Sequence, residues 1–314
     1  MLAAVALTVA LTFDDLPGQG LPRTEGCNAL RWNQRLLSVL KRNHVPALGL
    51  VNTGKQCDLE PVLNAWLDAG QDLGNHTYSH RDLNSTPVAE YEDDIVRGES
   101  PLREILAAHG KALRYFRYPM LHTGTSRETR DTIASFLRQR HYVDAVVTLD
   151  NHDFVFANAY ARALDRKDAT LARRIADAYI PYMESTLTFL EKRTREVVGR
   201  PIAHILLLHM NALNADTLDA LLKMFERRGY RFITVDEALR DPAYALLDGY
   251  VGANGLSWIH RWGVAKGMPI VLEPDEPAWI TRAATSSFPS RGGTPTPSRS
   301  RPRPPLPRAL RRIS

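Results

Sequence analysis

Short apolar runs rich in β-branched residues alternate along the chain with longer segments whose apolar residues recur at helical spacing. The short runs predict strands at residues 5–13, 45–51, 115–117, 145–149, 205–209 and 231–235. The longer segments predict helices at residues 29–43, 60–69, 88–109, 126–140 and 216–228. Ser126 and Asp216 stand where the last two helices would be capped. This alternation predicts an α/β fold with a mostly parallel sheet covered by helices, as an open sheet or a barrel.

One stretch, residues 155–200, interrupts the alternation. It predicts two helices, at 158–166 and 168–198, that end at Gly199. We expect this helical insertion to pack outside the sheet or over its rim. The insertion would belong to a domain covering residues 1–245, and residues 246–281 would form an extension packed on that domain.

The C-terminal residues 282–314 differ from the rest of the chain, with eight arginines, seven prolines and no acid. The 314-residue protein carries a net charge of +5, but without these arginines 32 basic residues face 35 acidic ones, a net charge of −3. The composition predicts a disordered tail. Such a tail could contact nucleic acid, anionic wall polymers or lipid headgroups. A solvated extension is the simpler interpretation, and we expect no nucleic-acid partner.

The apolar residues 1–11 are too few for a membrane span, which needs about 20. They lack a basic start and a cleavage site, so they predict a buried strand and not a signal peptide. The two cysteines, Cys27 and Cys57, lack metal-ligand spacing and suggest one disulfide if the protein is exported. The oligomeric state and the location are left open by the sequence.

Polar residues follow several predicted strands, where α/β folds gather their chemistry. They are Asp14, Asp15, Arg117, Asp150, Asp153, His209 and the segment 74–80. On one turn of helix, His76 and His80 would face the same way and could bind one metal ion. Asp14 and Asp15 offer the acid that most such sites add. Histidine pairs at this spacing also arise by chance, and the two aspartates could equally start a loop and cap a helix.

Five segments occur in a specific order: Thr12-Phe13-Asp14-Asp15, His76-Thr77-Tyr78-Ser79-His80, Arg117-Tyr118-Pro119, Asp153-Phe154 and Leu207-Leu208-His209. They resemble the five motifs of polysaccharide deacetylases of the NodB-homology type, carbohydrate esterase family 4. The resemblance spans about residues 5–240 and implies a distorted (β/α) barrel. It also implies a divalent metal ion bound by Asp15, His76 and His80. Zinc is the first expectation, and cobalt, nickel or manganese would suit the same ligands.

The resemblance implies roles for the residues around the metal. Asp14 matches the general base, Arg117 the arginine that holds this base, and His209 the general acid. Asp153 would be the acidic partner of His209, with Asp150 as the alternative. The matching substrate-binding positions are Pro119, Met120, Phe154 and Leu207, and the Met120 N–H would donate to the oxyanion.

Two features depart from the family pattern. Phe154 stands where the family usually has a tryptophan, and the segment between the fourth and fifth motifs is long. We therefore expect the helical insertion to shape the substrate groove. Asn211 and Asn214, just after His209, could hydrogen-bond a ligand or serve as loop and capping residues.

The sequence thus predicts a metal-dependent hydrolase that removes acetyl groups from N-acetylated sugars of a polysaccharide or oligosaccharide. One alternative is an O-acetyl or aryl esterase with the same catalytic groups. The other is a glycan-binding protein without turnover. The family resemblance suggests an exported or periplasmic protein, although we recognise no signal peptide in the chain.

Overall fold

A parallel sheet forms the centre of the protein, whose computed structural model describes residues 7–55 and 57–285. Its strands are β1 (Leu7–Leu16), β2 (Ala47–Val51), β3 (Asp72–Asn75), β4 (Tyr115–Phe116), β5 (Val143–Asp144), β6 (Ala203–His209) and β7 (Tyr230–Phe232). The order is β5-β4-β3-β2-β1-β6, and β7 also pairs with β1. A single bridge between Leu149 and Leu206 joins the segment after β5 to β6. The sheet therefore curls into a distorted barrel, as predicted.

Helices surround this sheet. They are α1 (Ala29–Arg42), α2 (Leu59–Asp68), α3 (Val88–Ala108), α4 (Arg127–Gln139), α5 (Asp153–Asp165), α6 (Ala169–Val198), α7 (Ala212–Arg227), α8 (Val235–Ala238), α9 (Trp258–Ala265) and α10 (Ala278–Thr285). Their apolar faces bury side chains such as Trp66 and Phe225 against the strands. No helix in the described part of the chain is long and apolar enough to cross a membrane.

Two of the predicted strands are misplaced. The apolar run 145–149 was predicted as a strand, but the ladder lies just before it, in β5. This run is buried between β4 and β6 and pairs only through the bridge at Leu149 and scattered backbone hydrogen bonds, so its apolar character reflects burial more than strand pairing. The strand predicted at 231–235 ends at Phe232 because Thr234 and Glu237 form a capping box that starts α8.

Capping side chains fix the starts of the long helices. Ser126 caps α4 as predicted, since its Oγ accepts a hydrogen bond from the Thr129 N–H at 3.1 Å. The prediction that Asp216 caps the later helix is wrong. Asn211 caps α7 by accepting from the Asn214 N–H at 2.7 Å, and Asp216 lies a turn inside the helix, where it accepts from the Tyr160 hydroxyl.

The predicted helical insertion is present as α5 and α6. Asp168 caps α6 by accepting from the Leu171 N–H at 2.9 Å, and Gly199 ends it with φ +85°. The first helix, α5, begins at Asp153, five residues before its predicted start, so the fourth-motif aspartate lies on a helix. In the predicted C-terminal extension, α9 packs on α6 and α10 packs on α5.

The last described helix, α10, extends into the segment that the sequence predicts to be disordered. Residues 282–285 complete α10, so the predicted disordered tail begins too early, and the rest of it lies outside the described residues, as does the predicted strand start at residues 5 and 6. Cys27 and Cys57 form the disulfide that the sequence suggested. This bond joins the loop after β1 to the loop after β2, and both loops border the candidate site.

Candidate active site

Asp14 and Asp15 lie inside β1, which continues to Leu16 and does not end at residue 13 as predicted. Asp15 has φ +68°, and the pairing of β1 with β2 shifts register between Phe13 and Leu16. Neighbouring side chains of a regular strand point to opposite faces. The backbone irregularity breaks this alternation, so both buried carboxylates reach one cavity.

His76 and His80 lie in the loop after β3, so the loop and not a helical turn brings the two imidazoles together. Thr77 and His80 have φ of +64° and +59°, which turns the loop back on itself. Asn75 and Thr77 hold this turn by accepting hydrogen bonds from the Thr77 and His80 amides at 2.9 and 3.0 Å. The ligand atoms of Asp15, His76 and His80 all lie within 4.8 Å of one another.

The protonation states of these three side chains suit a metal ion. Burial lowers the pKa of His76 to about 4 and, together with the neighbouring imidazole, lowers that of His80 to about 4. Burial alone would raise the pKa of Asp15, but the Lys55 ammonium and His80 hold it well below its usual range. The Nδ1 of His76 lies 2.8 Å from the Arg117 carbonyl oxygen, to which it can donate, so its Nε2 is left for a metal. Two neutral imidazoles and a carboxylate are ligands that zinc accepts.

Asp14 is paired with Arg117, which is almost completely buried. The Arg117 Nη1 donates to Asp14 Oδ1 at 2.5 Å and to Thr12 Oγ1 at 2.7 Å, and its Nε donates to the Ala145 carbonyl at 2.8 Å. Burial raises the pKa of Asp14, and the guanidinium opposes this rise. The second carboxylate oxygen of Asp14 lies 3.7 Å from His76 Nε2, so the pair lies beside the candidate metal ligands.

His209 ends β6 directly opposite Asp14 in the register of β1 and β6. Its Nδ1 lies 2.6 Å from Asp153 Oδ1, and its backbone N–H donates to Asp153 Oδ2 at 2.9 Å. Burial disfavours the charged imidazole, but the Asp153 carboxylate outweighs burial and raises the pKa of His209 to about 9. The partner of His209 is therefore Asp153, whereas Asp150 accepts from the His152 amide at 3.2 Å.

These groups line a cavity of about 460 Å³. Its wall consists of Asp14, Asp15, Gln19, His76, His80, Met120, Leu121, Asp150, His152, Phe154, Leu207, His209 and Gly255. Phe154 is half-exposed and its ring lies 6.0 Å from that of His209.

Of the four predicted substrate-binding residues, only Pro119 does not line the cavity. A larger groove of about 620 Å³ between α2 and α3 is lined by no histidine.

Lys55 and Gly255 of the site were not predicted from the sequence, and the contact of Asn211 and Asn214 with Asp153 was not predicted either. Lys55 donates to Asp15 Oδ1 at 2.9 Å, and its position shortly after β2 was a signal that the strand-end rule could have used. Asn211 and Asn214 donate to Asp153 Oδ2 at 3.0 and 2.5 Å, so they hold this carboxylate. Gly255 comes from the C-terminal extension, and no local pattern marks it.

Sequence comparisons with known proteins agree with the motifs. Residues 5–137 match a family model described as polysaccharide deacetylase. A peptidoglycan-N-acetylglucosamine deacetylase from Bacillus cereus is 30% identical over 112 residues, 35% of this chain and 35% of that protein. A chitin deacetylase from Colletotrichum lindemuthianum is 31% identical over 118 residues, 36% of this chain and 42% of that protein. The crystal structure of a carbohydrate esterase family 4 pseudoenzyme from Bacillus anthracis aligns at 18% identity with a TM-score of 0.48, covering 74% of this chain and 66% of that one.

These curated matches share limited stretches, since the chain spans about a third to two fifths of the length of these relatives. The matched region contains Asp14, Asp15, His76, His80 and Arg117. Residues 5–137 of this chain are therefore similar to the polysaccharide deacetylase family, as the motifs predict.

Proposed function

We propose that this protein hydrolyses the N-acetyl amide of amino sugars in a polysaccharide or oligosaccharide and that it depends on a divalent metal ion, with zinc as the first expectation. One observation supports the proposal most directly. The candidate ligands Asp15, His76 and His80 converge in a cavity that has a carboxylate with its arginine on one side and a charged histidine on the other. This is the set of groups that metal-assisted amide hydrolysis needs.

Asp15, His76 and His80 would hold the metal. A divalent ion bound there supplies a Lewis acid that polarises the acetyl carbonyl and makes water a better nucleophile. Three protein ligands are the number that catalytic zinc sites use. Asp15 is kept ionised and both histidines are kept neutral, so the free protein already has its ligands in the required states.

Asp14 would accept the proton of the attacking water. Arg117 fixes the position of this carboxylate through a charge-assisted hydrogen bond. Burial raises the pKa of Asp14, which makes it a stronger base than an exposed aspartate.

His209 would donate a proton to the departing nitrogen. Its pKa of about 9 keeps the imidazole charged at neutral pH, and Asp153 holds the ring through Nδ1 so that Nε2 can donate. The Phe154 ring supplies an apolar wall beside this histidine, and the Met120 N–H would donate to the oxyanion.

The charged state of His209 favours an amide over an ester as the substrate, because an amine leaves only when it is protonated whereas an alkoxide leaves more easily. Acetate release from an N-acetylated oligosaccharide and from acetylated xylan, measured with the same zinc-loaded protein, tests this choice. We expect faster release from the amide. Release from xylan alone would indicate an esterase, and release from neither substrate by metal-loaded protein would indicate a glycan-binding protein.

Replacement of Asp153 should change the pH dependence of the reaction. The Asp153 carboxylate stabilises the charged imidazole, so Asp153→Asn should lower the pKa of His209 from about 9 towards its ordinary value of about 6.5. The alkaline limb of the kcat/KM profile should shift to lower pH by more than one unit. The loss of kcat/KM should therefore be larger at pH 8 than at pH 6. Asp150→Asn is the matched control, since Asp150 lines the same cavity but does not hydrogen-bond His209, and its limb should move much less than that of Asp153→Asn. An unmoved limb in Asp153→Asn would remove His209 as the general acid.

A further inference from the structure

Two backbone loops meet at the rim of the cavity. One is the turn Pro119–Leu121, in which Met120 and Leu121 have φ of +56° and +54°. The other contains Gly255, where a Cβ atom would lie 1.8 Å from the Met120 carbonyl oxygen, so only glycine fits. Residues other than glycine adopt positive φ only at a cost in free energy. The Met120 turn therefore depends on the contacts that surround it.

Arg261 of α9 supplies these contacts and is fully buried. Its Nη2 donates to the Leu121 carbonyl at 2.5 Å, and its Nη1 donates to Thr123 Oγ1 at 2.8 Å. On its other side, Nε donates to the Leu256 carbonyl at 2.8 Å, next to Gly255. One guanidinium thus ties both rim loops together.

The surroundings of Arg261 hold its guanidinium plane in one orientation. The guanidinium carbon lies 4.3 Å from the centre of the Trp258 ring, and the carboxylate of Asp248 lies 3.2 Å from Nη1. Burying a cation costs desolvation free energy that an aliphatic side chain of similar volume would avoid. What the guanidinium adds is a rigid set of donors that reaches three loop oxygens at once.

We propose that Arg261 is a positioning residue for the reaction, because it holds the turn Pro119–Leu121 and with it the Met120 N–H at the cavity rim. The segment from Asp248 to Arg261 would then be part of the catalytic unit, although it lies beyond the last motif and outside residues 5–137. This inference rests on the proposed function for its kinetic consequence only, since the contacts themselves hold whatever the substrate is.

Arg261→Lys tests the inference, because lysine keeps the charge but cannot reach three oxygens in a fixed plane. We expect kcat for the N-acetyl oligosaccharide to fall about 100-fold, the usual effect of a small misplacement of a catalytic group. KM and zinc affinity, measured by titration calorimetry, should stay within threefold of the wild type. Amide hydrogen exchange in residues 117–124 should become faster.

Arg193→Lys is the matched control. Arg193 is also a buried arginine that anchors the extension, since its Nη2 donates to the Pro269 carbonyl at 2.6 Å, but its partners Pro269 and Glu196 lie away from the Met120 turn. In Arg193→Lys, kcat and amide hydrogen exchange in residues 117–124 should remain near the wild-type values. Equal losses in both variants, or a kcat within threefold of wild type in Arg261→Lys, would overturn the inference.

A second variant covers the case in which Arg261→Lys does not fold. Gly255→Ala should push the Met120 carbonyl from the opposite side and lower kcat with the same pattern, and unchanged kcat would overturn the role of the turn.

If the wild type releases no acetate, the proposed function fails, and hydrogen exchange then decides the inference alone. Exchange in 117–124 that is equal in wild type and Arg261→Lys would refute it.

Discussion

Replacing Asp14 with asparagine should lower kcat for an N-acetylated oligosaccharide about 10³- to 10⁴-fold while metal stays bound. Asparagine has nearly the same shape and can still accept a hydrogen bond from Arg117, but it cannot take a proton from water. The Asp14 side chain is not among the candidate metal ligands, so zinc affinity should change little. Steady-state kinetics and metal analysis of the same preparation check both statements.

The loss of the Asp14 charge also leaves the buried Arg117 without its carboxylate, so part of any effect could come from lower stability. Asp241→Asn is the control for the loss of an arginine pair, because Asp241 pairs with Arg200 at 2.5 Å, the same distance as Asp14 with Arg117, and does not line the cavity, although Arg200 is partly exposed. This control should lower the thermal unfolding midpoint and leave kcat within a few-fold of wild type. If Asp14→Asn kept a tenth or more of wild-type kcat, Asp14 would not be the base.

The sequence predicted the chemistry of the site better than its backbone. Asp15, His76 and His80 were chosen from residue type and motif, and the structure brings their ligand atoms together. The local backbone was not predicted in either motif, since β1 continues through the two aspartates and the histidines converge from a loop and not from a turn of helix. Asp15 has positive φ where the pairing with β2 shifts register, and His80 has positive φ beside Ser79, which donates to Asp94 of α3. Apolar periodicity carries no information about such contacts.

The parts of the site that come from distant segments were beyond prediction. Asn211 was weighed as a capping residue or a ligand-binding residue, and it caps α7 while its amide also holds Asp153. The roles of Gly255 and Arg261 appear only when the extension is packed against the Met120 turn. The sequence predicts a strand end or a helix cap where neighbouring residues in the chain determine it. It fails where a side chain acts on a loop more than one hundred residues away.

Removal of one candidate metal ligand should have the largest effect of all. We expect His80→Ala to lower zinc affinity at least about 100-fold, because even the loss of a residue that only orients a ligand costs roughly 10- to 100-fold. Turnover at sub-saturating zinc should fall at least about 10⁴-fold, since the Lewis acid contributes several kcal/mol of transition-state stabilisation. Titration calorimetry with zinc and acetate release across zinc concentrations give the two numbers.

The control for this ligand variant is His204→Gln. His204 is a buried histidine of β6 whose pKa is also lowered to about 4 by burial, but it contacts Thr148 and does not line the cavity. Its replacement should leave zinc affinity and turnover near wild type. High zinc should restore part of the turnover of His80→Ala, because Asp15 and His76 still offer two ligands. If His80→Ala bound zinc as tightly as the wild type, the three side chains would not share an ion, and the metal-dependent proposal would be wrong even though the fold stands.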